Sequence, residues 1–255
     1  MIREDAVVLG GPTSIARIVT LARPEKRNAI SKDLAEALAD AVERAAEDHA
    51  VRAIILAAEG DVFAAGGDLD EIAANVDADG AELVLAMGAR LQAIESCPLP
   101  VLCALSGDVY GGGCELILLT DFIVAEEQAR ISFRHVRMGL APAWGGMTRL
   151  LERTSASFAS RVLLTADTIE AAAAERAGLV SEVVPKGASL ERCLRIAGEI
   201  ARAPRASVAG IKASISAALR PQRDAAREGE AEVFRTLFGG PAHRGALEAL
   251  SRRRR

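Results

Sequence analysis

The sequence predicts a helix-rich α/β fold, and three observations carry that expectation. A β-like apolar run leads through a glycine-containing loop into a helical pattern twice, over Val51 to Ala74 and over Val101 to Leu119. Half of the 255 residues are apolar but only 3% are aromatic, so the core must rest on Ala, Val, Leu and Ile. The abundance of alanine favours helix. The repeated strand, glycine loop and helix predict a spiral of ββα units, with a further strand at Phe122 to Ala125 followed by another at Arg130 to Phe133.

The elements follow in order. Ala6 to Leu9 and Ile15 to Leu21, separated by Gly10, Gly11, Pro12 and Thr13, read as a β-hairpin. Ser31 is a good N-cap, and Leu34, Leu38, Ala41, Val42 and Ala45 recur at helical spacing after it. Val51 to Ala57 is a buried strand that Gly60 ends. The run FAAGGDLDEI (Phe63 to Ile72) then opens a helix, with Asp68 as its predicted cap and Gly67 free to point a backbone N–H into a cleft. A helix over Ala81 to Glu95 stops at Cys97, Pro98 and Pro100, before the strand Val101 to Leu105. Phe133 to Leu151 fits neither the helical nor the strand period and reads as a pocket wall. Helices are predicted over Ala156 to Leu164, Thr168 to Ala177 and Ser189 to Arg202, with a short strand at Ser181 to Val184. Pro204 and Pro221 are expected to divide the remaining helices, and a last short one follows Gly239 to Ala242. The chain divides into a core with the candidate site, residues 1–200, and a C-terminal helical region, residues 201–255.

Composition narrows the function classes. A net charge of −4 argues against general nucleic-acid affinity, and the basic run Arg252 to Arg255 reads as a solvated tail. Cys97, Cys103, Cys114 and Cys193 lack metal-ligand or CxxC spacing and read as reduced core residues, and no metal site is expected. No signal-peptide pattern opens the chain and no apolar run reaches ~18 residues, so the expectation is a cytoplasmic protein that does not span a membrane.

Chemistry concentrates at Ser106 to Leu116, SGDVYGGGCEL. Three glycines allow a tight turn and close approach of main-chain N–H groups to a ligand, at the start of a helix whose first amides lack partners. Glu115 sits in that first turn, where a carboxylate is electrostatically favoured. Taken alone, a GGGxE run is read equally well as a glycine-rich turn with an ordinary first-turn acid.

Further stretches carry a resemblance. RNAIS (Arg27 to Ser31), FAAGGDLDEI, GGGCEL (Gly111 to Leu116), GLAPAWGGMTRLL from Gly139 and AAAAERAGLVSEVVP (Ala171 to Pro185) together resemble the enoyl-CoA hydratase/isomerase, or crotonase, superfamily over nearly the whole chain. The resemblance implies a ClpP-like spiral core, a C-terminal helical region used in trimerisation, a homotrimer or homohexamer, and a coenzyme A thioester as substrate, with no separate cofactor. It implies that Gly67 and Gly112 supply the two backbone N–H groups of an oxyanion hole, and that Glu115 is one of two hydratase glutamates. His135 stands where the second glutamate would fall. It also places Arg27, Ala65, Asp68, Leu69, Tyr110, Gly111 and Trp144 along the substrate site, with Trp144 expected mainly to pack.

That departure favours another reaction. FRHVRMGLAPAWGG and TLFGGPAH (Thr236 to His243) most resemble the ethylmalonyl-CoA and methylmalonyl-CoA decarboxylase-like branch. In this reading His135, with Arg137, orients a departing carboxylate, and Glu115 or water protonates the enolate. Hydration or isomerisation of a 2-enoyl thioester is the alternative, kept open by Glu115. An acyl-CoA-binding protein without turnover and an RNA-binding role for the arginine run are the readings from other classes, and His49 and His243 are expected to be structural.

Overall fold

The computed structural model describes residues 1–11, 14–77 and 79–254. In chain order these form β1 (Ile2–Gly11), β2 (Ser14–Leu21), α1 (Lys32–Glu47), β3 (Val51–Ala58), β4 (Val62–Ala64), α2 (Leu69–Ala74) and α3 (Gly80–Ser96). Then come β5 (Val101–Leu105), β6 (Asp108–Tyr110), α4 (Gly112–Leu118), β7 (Phe122–Glu126), β8 (Arg130–Ser132), α5 (Gly146–Arg153) and α6 (Ala156–Thr165). The chain closes with β9 (Ile169–Glu170), α7 (Ala171–Arg176), β10 (Glu182–Val184), α8 (Ser189–Ala201), α9 (Arg205–Leu237) and α10 (Pro241–Arg254).

Successive ββ pairs divide between two sheets. One sheet has the order β1-β2-β3-β5-β7-β10 and the other β4-β6-β8-β9. Each of the pairs β3/β4, β5/β6 and β7/β8 therefore gives its first strand to the large sheet and its second to the small one, which is the predicted spiral. The β1/β2 hairpin is antiparallel, and β2 through β10 run parallel in the large sheet. The hairpin's Pro12 and Thr13 lie outside the described residues.

Strand alternation explains why the large sheet is buried on both faces. Ile54, Leu56, Val101, Cys103 and Leu105 join the main core with Leu34, Leu38 and Val42 of α1 and Leu91 and Ile94 of α3. The intervening Ala53, Ile55, Leu102, Ala104 and Val124 face Cys193 and Ala197 of α8. Ser31 caps α1 by accepting from the Leu34 N–H at 3.2 Å, and Asp68 caps α2 by accepting from Asp70, both as expected. The four cysteines are buried thiols.

Three expectations are corrected. Pro221 does not divide the C-terminal helices, because α9 runs through it for 33 residues. Ala217, whose carbonyl loses its N–H partner there, is exposed and can be hydrated instead. The segment at Thr168 is not helical from its start: Ile169 and Glu170 first pair antiparallel with β8, completing the small sheet. The arginine run, read as a solvated tail, is solvent-exposed at Arg252 but starts as helix rather than as unstructured chain. Arg252 lies in α10 and pairs with Glu248 at 3.5 Å, while Arg255 is outside the described residues.

Ion pairs fasten the long α9 to the core. Arg223 of α9 reaches Glu152 of α5 at 2.6 Å and Glu95 of α3 at 2.5 Å, and Lys212 reaches Asp121 at 2.6 Å. Burial works to raise the Glu95 carboxyl, but the guanidinium groups of Arg149, Arg223 and Arg227 outweigh it and hold the group below its ordinary value. Among the described residues no helix is long and apolar enough to cross a membrane.

Trp144 locks the irregular 140s segment onto α3. Its indole N–H donates to the Val84 carbonyl at 2.8 Å, and its ring lies directly on Gly88. A Cβ at residue 88 would overlap Trp144, with the ring Cγ only 2.8 Å away. Gly88→Ala is therefore expected to cost about 1–3 kcal/mol, by overpacking a ring that the Val84 bond prevents from yielding. Thermal or urea unfolding measures it, and an unchanged midpoint would contradict the packing.

Candidate active site

Two glycine loops meet at the centre of the molecule. Gly111, with φ +52°, turns the chain from β6 into α4, a conformation that glycine adopts without penalty. Gly112 follows, and a Cβ there would sit 2.9 Å from the Trp144 ring and 3.6 Å from the Gly67 nitrogen. Close approach of the loops therefore depends on the missing side chain. The Ile30 N–H donates to the Gly66 carbonyl and the Asp68 N–H to the Ile30 carbonyl, fixing the Gly67 loop on either side of that residue. Among the described residues neither the Gly67 nor the Gly112 N–H has an acceptor within the chain. Two unpaired amides thus lie close together.

They border a cavity of about 630 Å³. Its walls include eleven of the site residues expected from the sequence: Gly67, Gly112, Glu115 and His135, with Arg27, Ala65, Asp68, Leu69, Tyr110, Gly111 and Trp144. Arg27 and Asn28 both take left-handed backbone, at φ 52° and 51°. The Asn28 side chain donates to the carbonyls of Glu59 and Val62 and accepts from the Arg23 N–H. This fully used asparagine is why the left-handed Arg27–Asn28 turn can hold Arg27 beside Tyr110, 5.6 Å from the ring centroid.

Glu115 is the most constrained of these groups. It is 2% exposed, and its carboxylate accepts from the backbone N–H groups of Ala143 (3.2 Å), Trp144 (2.7 Å) and Gly146 (3.1 Å). His135 Nε2 completes the set at 3.0 Å from Oε1. With Nε2 donating to the carboxylate, the singly protonated tautomer of the ring has its lone pair on Nδ1. Nδ1 is buried and has no partner. His135 and Met138, three apart in the short 3-10 turn Arg134–Met138, both face the cavity.

Arg137 does not join His135. It donates to the Ala166 carbonyl at 3.0 Å and is no part of the cavity wall, so its expected role in orienting a carboxylate is withdrawn. The neighbour that does reach the site is Arg134, whose guanidinium lies 3.7 Å above the Tyr110 ring centroid while the Tyr110 hydroxyl donates to Asp108 at 2.6 Å. Sequence reasoning also passed over the three amides that hold Glu115, because a backbone group has no residue-type signature. Phe234, Phe238, His243 and Leu250 from the C-terminal helices complete the wall. Only the spacing of Phe234 and Phe238 hints at one helix face turned inward.

A second buried acid lies behind the site. Glu230 of α9 is 4% exposed and accepts from the N–H and the hydroxyl of Thr148 through Oε1, while Oε2 has no partner. Burial pushes its carboxyl above the ordinary value, and the charge of Glu115 adds to the rise. With the folded-state value raised, the carboxyl costs stability as pH rises from the unfolded value, near about 4.3, through the folded one. Replacing it by Gln should abolish that decline, so the melting temperature of Glu230→Gln should gain on the wild type as pH rises from the unfolded value through the folded one and keep a constant lead above it. Parallel pH profiles of the two proteins would count against the buried acid.

A model of the enoyl-CoA hydratase/isomerase family matches residues 11–253. Among curated relatives, the chain is similar to a 2,3-dehydroadipyl-CoA hydratase of Escherichia coli, 37% identical over 72% of each chain. It is also similar to a crotonyl-CoA hydratase of Syntrophomonas wolfei, 32% identical over 93% of this chain and 92% of that one. A solved structure titled a putative enoyl-CoA hydratase from Mycobacterium avium paratuberculosis superposes with a TM-score of 0.84 at 29% identity, covering 98% of this chain and 97% of the other. An enoyl-CoA hydratase/isomerase from Mycobacterium paratuberculosis gives 0.87 at 26% identity, covering 97% of both chains.

Proposed function

This chain belongs to the enoyl-CoA hydratase/isomerase family, and from that premise we propose that it hydrates a 2-enoyl-CoA thioester to the 3-hydroxyacyl-CoA. The observation that carries the reading is the His135 ring, bound to buried Glu115 through Nε2 and unpartnered at Nδ1. Support also comes from the relatives, which are named hydratases.

The chemistry requires a side-chain adjustment that opens the buried Nδ1 of His135 to the cavity. The thioester carbonyl oxygen accepts from the Gly67 and Gly112 amides, which stabilise the negative charge that develops on it. Removal of one such donor costs about 2.7–4 kcal/mol of barrier. His135 Nδ1 takes a proton from water as the water oxygen bonds to the β-carbon, and the π electrons move through the α-carbon onto the thioester oxygen. Glu115 stabilises the imidazolium that results. The ring then returns the proton to the α-carbon and the enolate collapses to the thioester. Water and the enoyl thioester are consumed in equal number, and no cofactor is needed beyond the coenzyme A of the substrate. His135 is the acid and base, while Glu115 orients it.

Decarboxylation, which the sequence favours, loses its support. His135 was to hold the departing carboxylate, yet Nε2 is taken up by Glu115, and a second carboxylate beside it would meet like charge at short range.

His135→Asn should lower kcat by roughly 10²–10⁴-fold with little change in KM, the range expected for a lost general acid and base. Glu115→Gln should lower it by about 10²-fold or more, since a misplaced base loses that much. Loss of the conjugated enoyl thioester absorbance, with mass-spectrometric detection of the hydroxyacyl product, gives the rates. Full activity in His135→Asn, or carbon dioxide release from malonyl-type thioesters in place of hydration, would overturn the reading.

A further inference from the structure

His243 is a buried donor without an acceptor in the wall of the cavity. It is wholly inaccessible to solvent and stands in the first turns of α10. Its Nδ1 accepts from the Gly239 N–H at 3.0 Å, which places the ring proton of the neutral imidazole on Nε2. Nε2 has no partner among the described residues. A buried donor left unmade is destabilising. The Gly239 bond alone does not account for a histidine, because any acceptor at Nδ1 would serve the turn.

The surroundings restrict what can supply the acceptor. His243 shares its stretch of wall with Phe238, whose ring centroid lies 4.8 Å away, and with Leu140 and Leu250. The backbone of Gly139, which ends the turn carrying His135, packs directly on the Ala242 and His243 backbone. His243 therefore lies behind the same space as His135, and its Nε2 meets a ligand there only when the side chains over it give way. Burial lowers the affinity of the ring for a second proton, and the nearby Arg244 lowers it further, so the ring stays neutral. A neutral donor among apolar groups suits an uncharged oxygen, whereas a carboxylate would lose its hydration for a single hydrogen bond.

We propose that His243 is a specificity residue whose Nε2–H binds an uncharged oxygen, a keto or hydroxyl group, carried on the acyl chain away from the thioester. The preferred substrates are then oxygenated acyl-CoA thioesters. This inference rests on the acyl-thioester reading of the cavity, and binding can test it without turnover.

The two ends of the ring can be separated by substitution. His243→Asn sets an amide oxygen near Nδ1, preserving the acceptor for Gly239 and removing the distal donor. His243→Gln retains an N–H near the Nε2 position. Binding of paired saturated acyl-CoA thioesters from butyryl to decanoyl, each with and without an oxo group on the penultimate carbon, is measured by calorimetry. A terminal carboxylate series is run beside them. The wild type should bind the oxo member about tenfold tighter than its plain partner at the length that reaches His243, as a hydrogen bond of ordinary strength gives. The ratio should fall to about one in His243→Asn and survive in His243→Gln, whereas a purely structural histidine would show the reverse pattern of rescue in melting temperature with no change of ratio. Equal binding of each pair by the wild type, a ratio unmoved in His243→Asn, or tighter binding of the carboxylate series would overturn the assignment. Binding with the predicted ratio but no hydration of enoyl thioesters would strike the reaction alone, and no binding of any acyl-CoA would strike the reading beneath both.

Discussion

The hydrogen bonds between the Glu115 carboxylate and the amides of Ala143, Trp144 and Gly146 organise this molecule. They join the first turn of α4, which is anchored in the core, to a segment that has no regular structure of its own. Three N–H groups that would otherwise be buried without partners gain a charged acceptor, and charge-assisted bonds of this kind are the stronger class. Gly146 must lack a side chain for this to happen, because a Cβ there would lie 2.7 Å from Oε2. One carboxylate thus sets the path of the 140s segment and, through the His135 bond, the tautomer of the imidazole beside it.

The same segment is tied from behind. Arg149, 2% exposed, donates to the carbonyls of Trp144 and Gly145 and to the carboxylate of Glu95, which also holds Arg223 of α9. A buried guanidinium is tolerable because its donors are used and its charge is matched. The site wall is therefore continuous, through Arg149 and Glu95, with the attachment of the long C-terminal helix.

Much of this was legible in the sequence. The large-sheet strands at Val51 and Val101, the Ser31 and Asp68 caps, and the glycine loops at Gly67 and Gly112 all carry local signals, and those signals agree with the fold. The small sheet was harder to read. β4, β6 and β8 have three residues each and β9 has two, too short for alternation to declare itself. Pro221 misled because a helix-breaking residue is tolerated where the freed carbonyl meets water, and exposure is a tertiary property. His135 was found by its place in a motif, but its pairing with Glu115 depends on how a 3-10 turn lies over α4. Residue spacing does not encode that. Phe238 and His243 lie more than a hundred residues beyond the glycines, and apart from the spacing of Phe234 and Phe238 nothing local announces a cavity wall.

That last distance has a consequence for how the protein comes into being. Chains are synthesised from the N-terminus, and folding can begin before the end has been made. The hairpin, both sheets and the two glycine loops precede residue 190, whereas Phe234, Phe238, His243 and Leu250 of the wall are added after them. A nascent chain can therefore hold a formed sheet core over an unfinished chamber. Competence to enclose a ligand arrives only once α9 and α10 have been made, so a chain interrupted within α9 would lack part of the cavity wall and leave apolar cavity surface exposed.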